Sequence, residues 1–203
     1  MTRKIYQGYA YQEPDNLYTY PNSSVLINRF NLTDADKAHE KEYQLTADRV
    51  IELAQNPINV RTVKDILKIH GYLFQDMYDW AGQYRKVNIS KQGNAFMAMQ
   101  AFGSAETYMN SLLEDFHENA HSREEVIKGL AKILDNENYF HPFREGNGRT
   151  QREVIRSLAL DKGYKARVNI VEDDIYNLYM DGTVHGDVQM LEKLFDKILE
   201  EID

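Results

Sequence analysis

The chain has 203 residues, 42% of them hydrophobic and 28% charged, the composition of a globular protein long enough to bury its own core. It has no cysteine, which excludes disulfides and thiolate metal sites, and its formal charge of −8 argues against non-specific contact with DNA or RNA. No apolar run approaches the roughly 20 residues that cross a bilayer. No apolar stretch follows the basic pair Arg3-Lys4, so neither a membrane span nor a secretory signal is expected, and a cytoplasmic setting fits.

Four prolines, no low-complexity tract and no internal repeat point to one domain over residues 1–203. Residues 1–33 read as an irregular arm. Tyr6, Tyr9, Tyr11, Tyr18 and Tyr20 crowd there, offering apolar rings with a wettable tip. Helical signals dominate from residue 34 onward. A first helix over 34–55 turns Leu45, Val50, Ile51 and Leu53 partly inward. A second over 63–79 repeats Val63, Ile66, Leu67, His70, Leu73, Phe74 and Met77 at spacings of three and four.

The strand signal lies at 85–102. Val87 and Ile89 alternate with polar neighbours, Lys91-Gln92-Gly93-Asn94 reads as a turn, and Phe96 to Met99 returns as a second strand. Ser104 caps a helix carrying Met109, Leu112, Leu113 and Phe116. Ser122 and Glu125 form a capping box that opens a helix burying Val126, Ile127, Leu130, Ala131, Ile133 and Leu134. Further helices are predicted over 148–161, ended by Gly163, then over 172–180 and 187–200. The expected fold is all-α with one hairpin.

Residues 141–152, His-Pro-Phe-Arg-Glu-Gly-Asn-Gly-Arg-Thr-Gln-Arg, lie between two helical stretches. Gly146, Asn147 and Gly148 tolerate positive φ and can turn successive N–H groups into an anion cradle at a helix N-terminus. Arg149 and Arg152, three apart, share a helix face and can grip neighbouring phosphates. Glu145 is a hard oxygen donor for Mg²⁺. His141 can take a proton from a hydroxyl near neutral pH. Phe143 points into the core as an anchor. Singly, each residue has an ordinary reading as a cap, a turn or a solvated charge; in this order they describe phosphate handling.

The segment matches at every fixed position the signature of the Fic family, His-x-Phe-x-(Asp/Glu)-Gly-Asn-Gly-Arg-x-x-Arg. The resemblance extends to Tyr78-Asp79-Trp80-Ala81-Gly82 before the hairpin, or flap, and to His185-Gly186-Asp187 before the last helix. It implies a Fic-like helical bundle with one β-hairpin flap and AMP transfer from ATP to a Tyr, Thr or Ser hydroxyl of a target protein. His141 is then the base and Glu145 holds Mg²⁺. Gly146, Asn147 and Gly148 cradle phosphates, and Arg149 and Arg152 contact the distal ones. Asn88, Ile89, Ser90 and Gly93 near the flap tip face an extended target segment. Tyr176 or Tyr179 offers a ring to adenine.

Gly148 separates the chain from Doc-like kinases, which carry lysine there, and leaves phosphocholine transfer as an alternative. The inhibitory pattern (Ser/Thr)-x-x-x-Glu-(Gly/Asn) of many relatives does not occur in the sequence. This resembles the toxin subclass silenced by a separate small antitoxin, whose relatives modify gyrase or topoisomerase IV. A secreted effector acting on host proteins is the other role considered.

Overall fold

The computed structural model describes residues 11–12, 16–91, 94–168 and 172–202. Among these, seven α-helices follow one another: α1 (Ala35–Gln55), α2 (Val63–Phe74), α3 (Phe102–Asn119), α4 (Arg123–Phe140), α5 (Asn147–Asp161), α6 (Asp173–His185) and α7 (Val188–Ile198). Helix α4 is the centre of the bundle, packing against α3, α5, α6 and α7, while α2 bridges α1 and α5. Its inward face, Val126, Leu130, Ala131, Ile133 and Leu134, is almost wholly buried. The all-α expectation holds.

Local chemistry sets the helix starts. The Asp34 carboxylate accepts the Lys37 N–H at 3.0 Å, and Ser122 with Glu125 forms the predicted capping box of α4. The predicted cap at Ser104 is not used. A 3₁₀ turn at Met99–Ala101 runs straight into α3, so the helix opens at Phe102 without a side-chain cap. Helix α2 also ends earlier than its apolar spacing suggested: Met77 and Tyr78 are buried, but in the turn that follows Phe74. Spacing reported burial there, not helix. Along α1 the inward residues include Ala38, Glu42, Thr46 and Leu53, whereas Ile51 is 58% exposed, contrary to expectation.

The hairpin is far shorter than 85–102. Strands β2 (Ser90–Lys91) and β3 (Asn94–Ala95) pair antiparallel, with Ser90 opposite Ala95. The N-terminal arm, expected to be irregular, adds strand β1 (Tyr11–Gln12) to the outer edge of β2. Tyr6, Tyr9 and Gly93 lie outside the described residues. Tyr18, Val87 and Ile89 form a small second core beneath this sheet, and the Tyr18 hydroxyl accepts the Lys86 N–H at 2.9 Å. A further pair, β4 (Tyr164–Ala166) with β5 (Leu199–Glu201), closes the end of α7 and was not anticipated. Two strands of three residues each are too short to show a period.

Candidate active site

The turn between α4 and α5 is held from several sides. His141 leaves α4 in the left-handed conformation (φ 44°) while its N–H still bonds the Glu137 carbonyl. The Phe143 ring stacks on His70 of α2, with centroids 3.7 Å apart. His70 is fully buried. Its Nδ1 accepts the Gly82 N–H at 2.8 Å, so Nε2 carries the proton and donates to the Glu145 carbonyl at 3.0 Å. Burial pushes its pKa down to about 3, keeping the ring neutral. The unfolded state takes up this proton below about pH 6.5, so the contribution of His70 to stability is lost progressively from there toward pH 3.

The Asn147 side chain also belongs to the loop. Its Oδ1 accepts the Phe143 N–H at 3.0 Å and its Nδ2 donates to the Phe143 carbonyl at 2.8 Å. Only its backbone remains for a ligand. Gly146 begins α5 with φ 82°, and a Cβ there would lie 2.4 Å from the Phe74 ring. At Gly148 a Cβ would meet only ordinary contacts, 3.5 Å from Arg152. The absence of a side chain at Gly148 therefore serves the cavity rather than the fold.

That cavity, about 570 Å³, lies between α4, α5, α6 and the flap. His141, Gly148, Gln151, Arg152 and Tyr179 border it. The His141 ring stacks on Phe96 at 3.7 Å and its Nδ1 lies 3.1 Å from the Asn138 carbonyl. In the neutral ring Nδ1 therefore bears the proton and Nε2 is the basic nitrogen. Arg152 makes no ion pair among the described residues, and its guanidinium lies beside the Tyr179 hydroxyl. Gln151 is 2% exposed and its Nε2 has no partner among the described residues, a buried donor costing about 1–3 kcal/mol if left so.

Glu145 and Arg149 stand elsewhere. The Glu145 carboxylate accepts the Gly146 N–H at 2.9 Å, and it borders a second cavity with Glu42, Tyr78 and Arg149. Arg149 pairs with Glu42 of α1 and lies 4.6 Å over the Phe74 ring. Glu42 also accepts the Tyr78 hydroxyl, whose pKa is raised by burial and then by that carboxylate. Both arginines border a third cavity between α1 and α5, but only Arg152 also borders the one containing His141. Spacing of three did not bring both guanidiniums there, because Glu42 draws the first toward α1.

In the flap, Asn88 accepts the Met99 N–H at 2.8 Å, Ile89 is buried and Ser90 lies in β2. What they leave for a partner is chiefly backbone. Among the described residues β3 has no neighbour on its outer edge, and Ala95 and Phe96 border the His141 cavity.

The sequence reading missed the residue that ties flap to loop. Arg85 is 2% exposed; its guanidinium donates to the His141 carbonyl at 2.9 Å and to the carbonyls of Val87 and Met97. Nothing in the pattern around 85 announces a buried cation. Lysine has no planar fork to span three carbonyls. Arg85→Lys is expected to destabilise the fold by about 2 kcal/mol and to slow catalysis at least about tenfold. A thermal scan with a rate assay checks this, and an unchanged rate contradicts it.

Glu137, one turn before His141, is also buried, with Oε2 unpartnered among the described residues. Burial pushes its pKa up to about 8. In the unfolded chain it ionises near 4.5, so between these values raising the pH favours unfolding. Glu137→Gln is expected to raise stability at pH 8 by about 2 kcal/mol and to change little at pH 4. Parallel unfolding curves at the two pH values test it; equal effects at both would contradict it.

The profile of the Fic/DOC family matches residues 60–159. Over 188 residues the chain is 30% identical to the probable protein adenylyltransferase Fic of Escherichia coli, covering 91% of this chain and 92% of that protein. It is 32% identical over 159 residues to the protein adenylyltransferase VbhT of Bartonella schoenbuchensis, covering 76% of this chain and 33% of that longer protein. The solved structure of BepC from Bartonella tribocorum, a VirB-translocated effector with bound AMPPNP, shares the fold. Its TM-score is 0.79 at 17% identity, over 93% of this chain and 98% of that one. The chain belongs to the Fic/DOC family. The enzyme class expected from the sequence, protein adenylyltransferase, is the one these relatives carry.

Proposed function

We propose that this enzyme transfers AMP from ATP to a Tyr, Thr or Ser hydroxyl of a target protein. One observation carries the reading: a histidine of fixed tautomer borders the same cavity as the amino-terminal turn of α5 and an arginine that makes no ion pair among the described residues. The anion end of the helix and Arg152 hold the phosphate chain. Nε2 of His141 takes the proton of the incoming hydroxyl, whose oxygen bonds to the α-phosphorus. The bond from that phosphorus to the bridging α–β oxygen breaks, and pyrophosphate leaves with its electron pair.

No group of three or more His, Cys, Asp or Glu that could hold a metal occurs among the described residues, so the donor set suits an ion held mainly by phosphates and water. Glu145 would supply the protein ligand for Mg²⁺ by releasing the Gly146 N–H and turning its carboxylate from the neighbouring cavity toward the phosphates, whose charge the ion neutralises when bound. The target segment pairs with the open edge of β3, presenting its hydroxyl beside His141.

The biological role follows the sequence: a bacterial cytoplasmic toxin, with gyrase or topoisomerase IV as candidate target, held inactive by a small antitoxin whose glutamate pairs with Arg152. No helix of the described residues is long and apolar enough to cross a membrane. The effector role is the second reading, since BepC is a VirB-translocated effector of the same fold.

Incubating the protein and Mg²⁺ with a bacterial lysate and ATP labelled at the α- or the γ-phosphate, or with labelled CDP-choline, separates the chemistries. Label entering protein from α-labelled ATP alone is the expected result. Transfer from γ-labelled ATP or from CDP-choline would overturn it.

A further inference from the structure

The Gln151 amide is oriented by its neighbours. The Arg152 guanidinium lies beside the Tyr179 hydroxyl. The Tyr179 hydroxyl donates to Gln151 Oε1, 3.3 Å away. This bond engages the amide oxygen and leaves Nε2 as a buried donor with no acceptor among the described residues. Gln151 is three residues beyond Gly148 on α5, so the two share a face, and both border the His141 cavity. A donor held buried in the wall of a cavity, next in sequence to an arginine with no carboxylate partner among the described residues, is suited to an anionic oxygen.

We propose that Gln151 is a further nucleotide-binding residue, its Nε2 donating to a phosphate oxygen of ATP while its Oε1 stays on Tyr179. The assignment rests on the nucleotide occupying the His141 cavity. It gives the third residue of the Arg149-Thr150-Gln151-Arg152 run a direct role beside Arg152. Binding the phosphate chain would then satisfy the guanidinium and the orphaned amide together, so Gln151 distinguishes phosphorylated from unphosphorylated adenosine.

The test is calorimetric binding of a non-hydrolysable ATP analogue with Mg²⁺, and separately of adenosine, to the wild type, Gln151→Glu and Gln151→Met. Glutamate keeps the acceptor for Tyr179 but sets a negative charge against the phosphates. Methionine keeps the bulk and removes the donor. The analogue should bind about 30-fold or more weakly to Gln151→Glu and about tenfold more weakly to Gln151→Met, with adenosine affinity unchanged in both. Thermal scans identify any variant that fails to fold, in which case the other decides. Wild-type affinity for the analogue in a folded variant, or an equal loss for adenosine, overturns the assignment of Gln151 alone. A wild-type protein that binds neither ligand overturns the functional reading as well.

Discussion

His141→Ala should lower AMP transfer by about 10²–10⁴-fold, the span that a positioned general base contributes. Affinity for a non-hydrolysable ATP analogue should change by less than about threefold, because the phosphates are assigned to α5 and Arg152 rather than to the imidazole. His141 occupies the left-handed region, where alanine is disfavoured by about 1 kcal/mol. A small loss of thermal stability is therefore expected from backbone and from the lost stack on Phe96. His141→Asn tolerates that backbone and separates the two effects: it should recover the backbone part of the lost stability without restoring transfer. Single-turnover labelling with α-labelled ATP measures the rate. Transfer by either variant at the wild-type rate would remove His141 from the chemistry.

The two glycines of the loop should respond in opposite ways. Gly146→Ala places a methyl 2.4 Å from a Phe74 ring that has little room, since that ring is 1% exposed and lies beneath the Arg149 guanidinium. The positive φ at Gly146 adds backbone strain. Together these should cost about 3–5 kcal/mol, a fall of roughly 10 °C in Tm for a chain of this size. Gly148→Ala meets only ordinary contacts and improves helix propensity, so Tm should hold or rise by a degree or two. Its methyl would nonetheless narrow the cavity against the backbone, and nucleotide affinity should fall. Thermal scans and calorimetry on both variants check the contrast; equal losses of stability would refute the distinction between a fold glycine and a site glycine.

The loop was legible in sequence because its chemistry is contiguous: twelve successive residues hold the imidazole, the anion end of α5 and Arg152. Helices were legible where capping and apolar spacing agreed, as at Ser122 and along α4. Spacing alone misplaced the end of α2, since a buried turn through Met77 continues the same apolar rhythm. The supports of the site were not legible. Glu42, His70 and Arg85 come from distant segments, each in a position a solvated or core residue would equally fill. Their roles exist only once α1, α2 and the flap close around the loop. The diversion of Arg149 toward Glu42 has the same cause: an i, i+3 spacing fixes a helix face, but a partner on another helix decides where a long side chain points.

The most direct test of the account is a crystal structure of the protein with a non-hydrolysable ATP analogue and Mg²⁺. The phosphate chain should lie at the amino-terminal turn of α5, between Arg152 and Nε2 of His141, with the α-phosphorus nearest the imidazole. A nucleotide seated instead between α1 and α5, with the His141 side of the loop unengaged, would contradict it.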